Sequence, residues 1–135
     1  MKRKIALYCG VNKIQQTKIQ QLRLLQYAIE RKQPFDYFKE EEASPNPIIK
    51  AQLMKKLSAG DYSCLVIYNL NCWAGSLSEF ALDIKELLDT DIGFISLLDN
   101  LDFSTKSNSL HFKLVTTLCR FERANSNEKS SNTRL

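Results

Sequence analysis

The side chains best able to do covalent chemistry at neutral pH in this chain are four thiols, Cys9, Cys64, Cys72 and Cys119, and one imidazole, His111. Thiol-based phosphoryl chemistry would need an arginine six residues after the cysteine to hold the phosphate oxygens. Those positions carry Gln15, Leu70, Ser78 and Asn125, so the pairing is missing. The thiols also lack metal-ligand spacing or a histidine cluster and read as free, mostly buried groups. His111 has no obvious acidic or nucleophilic neighbour in sequence and reads as a helix surface or packing residue. Nucleotide binding would call for a glycine-rich turn after the first strand, where only Gly10 occurs. What remains is the loop Asn69-Leu70-Asn71-Cys72-Trp73-Ala74-Gly75-Ser76, set between a strand-like and a helix-like run. It has the position of an active-site loop and little of the chemistry.

The flanking sequence supplies elements to hold such a loop. Ile5 to Cys9, Cys64 to Tyr68 and Ile92 to Leu98 are short, nearly continuous apolar runs, the pattern of strands buried on both faces of a parallel sheet. Phe35 to Phe38 reads as a further short strand. Helical spacing places Ile19, Leu22, Leu25 and Ile29 on one face, Ile49, Leu53 and Leu57 on another, and Leu77, Phe80, Ile84, Leu87 and Leu88 on a third. Asn46-Pro47 reads as an N-cap with proline in the first turn, Gly60 as the left-handed close of that helix, and Ser76 with Glu79 as a capping box. Strand and helix alternate, so the expected class is α/β: three layers, with a mostly parallel sheet of four to five strands and helices on both faces.

A last helix is expected from near Ser107, with Leu110, Leu114, Leu118 and Phe121 as its apolar stripe. Residues 1–123 then form one domain, and 124–135 a polar tail with no face to pack. A chain of 135 residues with 44% hydrophobic content can bury a core of that size. The net charge of +4 is spread along the chain, compatible with weak phosphate contacts but short of the footprint of a self-sufficient DNA binder. No apolar run is long enough to span a bilayer and no signal segment follows the basic start, which points to the cytosol.

Beyond these elements, Lys4-Ile5-Ala6-Leu7-Tyr8-Cys9-Gly10-Val11-Asn12, Gln16, Gln21-Leu22, the 69–76 loop, Leu101-Asp102-Phe103-Ser104-Thr105 and Phe121-Glu122-Arg123 follow in a telling order and spacing. Together they resemble the N-terminal catalytic domain of the serine recombinases, the resolvase and invertase family, from about Lys4 to Arg123. The resemblance implies a resolvase-like fold in which a serine attacks a DNA phosphodiester and arginines hold the phosphate. Guanidinium forks match phosphate oxygens in geometry and charge, which is why the family uses them.

The match fails where that chemistry should be. The family opening of tyrosine, any residue, arginine, valine, serine appears as Tyr8, Cys9, Gly10, Val11 and Asn12. Asn12 stands at the nucleophile position, and a carboxamide does not attack phosphorus at neutral pH. The central loop replaces the family aspartate by Asn71 and its two arginines by Cys72 and Gly75, keeping Leu70 and Ser76. Asn46-Pro47 stands where a further arginine precedes a proline, and Lys50 is the nearest cation, a point charge rather than a bidentate clamp. Loss of a nucleophilic serine costs on the order of a million-fold in turnover. One charge-stabilising arginine is worth roughly 10³ to 10⁵.

No catalytic residue is therefore intact at Gly10, Asn12, Asn71, Cys72 or Gly75, and the residual site implied is Gln16, Glu41, Lys50, Glu122 and Arg123. The expected protein is an inactive relic, or an accessory or regulatory product, of a mobile element or prophage. It needs no cofactor or metal. Its expected partners are DNA, weakly and without sequence preference, or an intact recombinase, with a homodimer through the last helix and no membrane role. No helix-turn-helix or comparable module follows the domain, so sequence-specific recognition by this chain alone is not expected. Two alternatives stay open: a protein-interaction module with no DNA role, and a recombinase using Cys9 or Cys72 as nucleophile.

Overall fold

The computed structural model describes residues 3–11, 14–41 and 47–102. β1 (Lys4–Cys9) leads through α1 (Ile14–Glu30) to β2 (Phe35–Lys39); α2 (Ile48–Ser58) carries the chain back to β3 (Tyr62–Ile67), and α3 (Leu77–Asp89) to β4 (Gly93–Ser96). A short β5 (Leu101–Asp102) closes the order β2-β1-β3-β4-β5, antiparallel to β4 beside four parallel strands. The α/β class with a mostly parallel sheet, expected from the alternating runs, is the class adopted.

Alternation along each strand sorts the core into two. Ala6, Tyr8, Leu65, Ile67 and Phe94 face α2 and α3, where Leu53, Leu57, Phe80, Ile84 and Leu87 bury against them. Ile5, Leu7, Cys9, Cys64, Val66 and Ile95 face α1 and meet Leu24 and Ala28. The connection from β1 moves one way along the sheet and those from β2 and β3 the other, which sends α1 to the face opposite α2 and α3.

Two expectations need correction. Of the expected packing face of α1, Ile19, Leu22, Leu25 and Ile29, only Leu25 packs against the core: Ile19, Leu22 and Ile29 are 45%, 66% and 66% exposed, whereas Gln20, Leu24 and Ala28 are fully buried. Apolar residues occupy two adjacent arcs of this helix, and the arc containing small Ala28 and the amide of Gln20 is the one that meets the sheet. The N-cap of α2 is Pro47 itself, with no side-chain cap of its own. Gly60 does close α2 as expected, at φ 84, with Gly60 N–H donating to Leu57 O at 3.0 Å and Asp61 N–H to Lys56 O at 3.2 Å.

Among the described residues no helix is long and apolar enough to cross a membrane. The last helix expected from Ser107 with its stripe to Phe121, His111, Cys119, Glu122 with Arg123, and the 124–135 segment lie outside the described residues, as do Asn12 and Asn46.

Candidate functional site

Open α/β sheets form ligand crevices beyond the carboxyl ends of their strands, where successive connections diverge to opposite faces. In this sheet that point lies between β1 and β3. Gly10 follows one strand and the 69–76 loop follows the other, so these two segments have to frame any crevice.

They close it, backbone against backbone. A Cβ built on Gly10 would stand 2.1 Å from the carbonyl oxygen of Cys72, so only glycine fits beneath the loop. From the other side Gln20, fully buried, clamps the Gly10 peptide: its Nε2 donates to Gly10 O at 3.1 Å and its Oε1 accepts from Gly10 N–H at 3.2 Å. The loop is shaped by its own polar side chains. Asn69 Oδ1 accepts from Cys72 N–H at 2.9 Å and so caps a 3-10 turn over Leu70–Cys72. Asp99 accepts from Leu70 N–H at 2.9 Å and from Ser96 Oγ at 2.7 Å, tying the loop to the turn after β4.

Trp73 fills what space is left. It is 3% exposed and packs edge-on to Tyr8, with centroids 4.9 Å apart at 79°, while its Nε1 donates to Asp83 Oδ2 at 2.9 Å. Buried in this way, the ring packs over the strand ends and leaves no face for stacking. Lys50 is also buried. Its ammonium donates to Trp73 O at 2.7 Å and Glu79 Oε1 at 2.8 Å and pairs with Asp83 Oδ2 at 2.9 Å, 4.5 Å from the indole centroid. Three acceptors match its three donors, and two carboxylates balance its charge.

Two further carboxylate roles set the frame. Glu40, 6% exposed, accepts from Tyr8 Oη at 2.8 Å and from the N–H groups of Ile49 and Lys50 at 3.0 and 2.7 Å, capping α2 from a distance. Burial first, and the Glu40 carboxylate second, push the Tyr8 hydroxyl well above its ordinary value, so it stays a donor. Glu79 Oε2 accepts from Gly75 N–H at 3.0 Å, and Ser76 Oγ from Glu79 N–H at 3.2 Å, so the expected capping box forms with its carboxylate leg on Gly75. Burial would raise the Glu79 carboxyl, but the bonds from Lys50 and Gly75 outweigh it and hold the group below its ordinary value.

Among the described residues the thiols, Cys9, Cys64 and Cys72, are all buried and so placed as poor nucleophiles. Burial raises Cys9, partly offset by Tyr37 and Lys39, and pushes Cys64 up to about 12. Cys72 is 8% exposed.

Of the residues predicted for a site, the fold brings together Gly10, Cys72 and Lys50, with Gly75 at the edge through Glu79. Asn71 and Glu41 are exposed and stand outside the cluster. Gln16 lies in the first turn of α1, and its side chain, like those of Asn12, Glu122 and Arg123, is outside those described. Sequence reasoning missed Gln20, Glu40, Asp83 and Asp99. Glu79 and Asp83, four apart on one helix face, were a usable sign of a shared cation; a buried glutamine on an amphipathic helix gave none. Open space lies on the α1 face instead, in a groove of about 380 Å³ lined by Arg23, Tyr27, Arg31, Tyr68 and Leu97 among others.

A 2-1-3-4-5 sheet whose connections diverge between β1 and β3 defines a doubly wound α/β domain. The family model "Resolvase, N terminal domain" matches residues 5–134, and the chain belongs to that family, the serine-recombinase domains of site-specific DNA recombination. Solved structures share the fold. The N-terminal catalytic domain of TP901-1 integrase is 22% identical with a TM-score of 0.69, over 90% of this chain and 98% of that one. A resolvase family site-specific recombinase from Streptococcus pneumoniae is 18% identical with a TM-score of 0.70, over 97% and 95%. A serine recombinase from Sulfolobus solfataricus is 15% identical with a TM-score of 0.58, over 89% and 83%.

Proposed function

We propose that this serine-recombinase domain does not cleave DNA and acts in the cytosol as an accessory or relic product of a mobile element. The observation that carries the reading is the closed site. A phosphate-binding pocket needs unsatisfied donors and room for the anion. At the strand ends the Cys72 carbonyl lies against Gly10, Trp73 occupies the space, and the Lys50 ammonium is held by Glu79, Asp83 and Trp73 O. The absence of serine and arginines at positions 10, 12, 72 and 75 points the same way. Any remaining DNA contact is then weak and non-specific, and the regulatory form of the reading has the domain joining an intact recombinase.

The test is incubation with supercoiled plasmid followed by denaturing electrophoresis. No covalent protein–DNA adduct and no nicking are expected, and an adduct lost on Cys9→Ala or Cys72→Ala would establish the unconventional enzyme instead. Co-purification with an intact recombinase separates the regulatory form from the relic.

The exposed apolar arc of α1, Ile19, Leu22 and Ile29, favours a second reading, a protein-interaction module with no DNA role. Labelled duplex that shifts in a salt-dependent way would exclude it, and no shift at low salt would favour it.

A further inference from the structure

The contact between Gly10 and Cys72 does more than fill space. The Cys72 carbonyl is backbone, as is the Gly10 Cα, and at 2.1 Å from the position of a Cβ neither side has a flexible end to turn away. Gln20 fixes the Gly10 peptide through both its N–H and its C=O, so β1 cannot yield without breaking two buried hydrogen bonds. The loop is the side that must move. Its seat depends on Trp73 against Tyr8, on the Trp73 carbonyl against Lys50, and on Leu70 N–H against Asp99.

We infer that Gly10 is the residue on which closure of the 69–76 loop depends, so that any side chain at position 10 and the seated loop are mutually exclusive. The inference rests on the reading of the site as closed and extends it. The arginine that the family pattern places at position 10 and the observed loop conformation are alternatives, so loss of that side chain is what lets the loop cover the strand ends. A side chain returned there lifts Cys72 and Trp73 away from β1 and reopens the pocket.

Alkylation of the native protein, mapped by peptide mass spectrometry, reads this directly and does not depend on DNA cleavage. Cys72 lies in the loop and Cys64 inside β3, both buried, so Cys64 reports global unfolding in the same sample. In Gly10→Ala and Gly10→Arg the Cys72 labelling rate is expected to rise many-fold over the unsubstituted protein while Cys64 stays protected. The single tryptophan, Trp73, should shift its emission to the red and become open to acrylamide. Gly75→Ala is the control, since a Cβ there meets nothing within 4 Å and should leave both readouts unchanged. Unaltered Cys72 protection in both Gly10 variants would overturn the inference. Equal exposure of Cys64 and Cys72 would overturn it too, by making Gly10 a requirement of the whole fold rather than of the loop.

Discussion

Tyr8 donates its hydroxyl to Glu40 across 2.8 Å, joining the end of β1 to the residue that follows β2 and caps α2. Tyr8 is also the one polar residue of the family opening that this chain keeps. The bond to Glu40 gives it a structural task. Tyr8→Phe is expected to cost about 1 kcal/mol in urea denaturation, the net worth of one buried hydrogen bond. Glu40→Gln should cost more, about 2 kcal/mol, because it weakens charge-assisted bonds to two backbone N–H groups as well. Equal costs would mean that Glu40 does not cap α2.

Lys50→Met tests the closed site by removing the cation under Trp73. Breaking a fully buried ion pair costs about 3 to 5 kcal/mol, and the partial exposure of the Glu79 side chain, 41%, reduces that here to about 2 to 3. Thermal denaturation would measure the loss, and Asp83→Asn in the Lys50→Met background should recover part of it by removing an unpaired charge. A Lys50→Met variant as stable as the parent would show that the trio does not hold the loop.

The scaffold was readable because burial on both faces leaves continuous apolar runs, as in Ile5 to Cys9 and Cys64 to Tyr68, which periodicity detects directly. The face of α1 was not. Ile19, Leu22 and Ile29 are as well spaced as Leu24 and Ala28, and only the sheet decides which arc it accepts. At the site, the absences of serine and arginine were legible position by position, since Asn12 and Gly10 are read from the sequence alone. What those absences permitted was not legible. The Gly10–Cys72 contact joins positions 62 residues apart in sequence through backbone atoms, which no side-chain pattern encodes.

Acid should loosen the loop before neutral or basic conditions do. Glu79 is held below its ordinary value of 4.5, so between the folded and unfolded values the unfolded chain binds more protons. Its contribution to stability is therefore complete above about 4.5 and is lost as pH falls through the folded value. Asp36, lowered from 3.8 chiefly by the Tyr62 hydroxyl, adds a similar slope lower down. Glu79→Gln should flatten the dependence of the urea midpoint on pH in the upper part of that range and leave the Asp36 part in place. An unchanged slope would remove Glu79 from the account.

Returning the nucleophile alone should not return the reaction. Asn12→Ser supplies a hydroxyl, but a phosphodiester under attack gathers negative charge on its oxygens, and each arginine that would meet it is worth roughly 10³ to 10⁵ in rate. Positions 10, 72 and 75 hold glycine, cysteine and glycine, and Lys50 is committed to Glu79 and Asp83. Asn12→Ser is thus expected to form no detectable adduct on supercoiled plasmid, and Asn12→Ser with Gly10→Arg to open the loop by Cys72 labelling while still leaving the plasmid intact. Adduct formation by Asn12→Ser alone would mean that the remaining residues already make a working phosphate cradle, and the closed site would then have to open on contact with DNA.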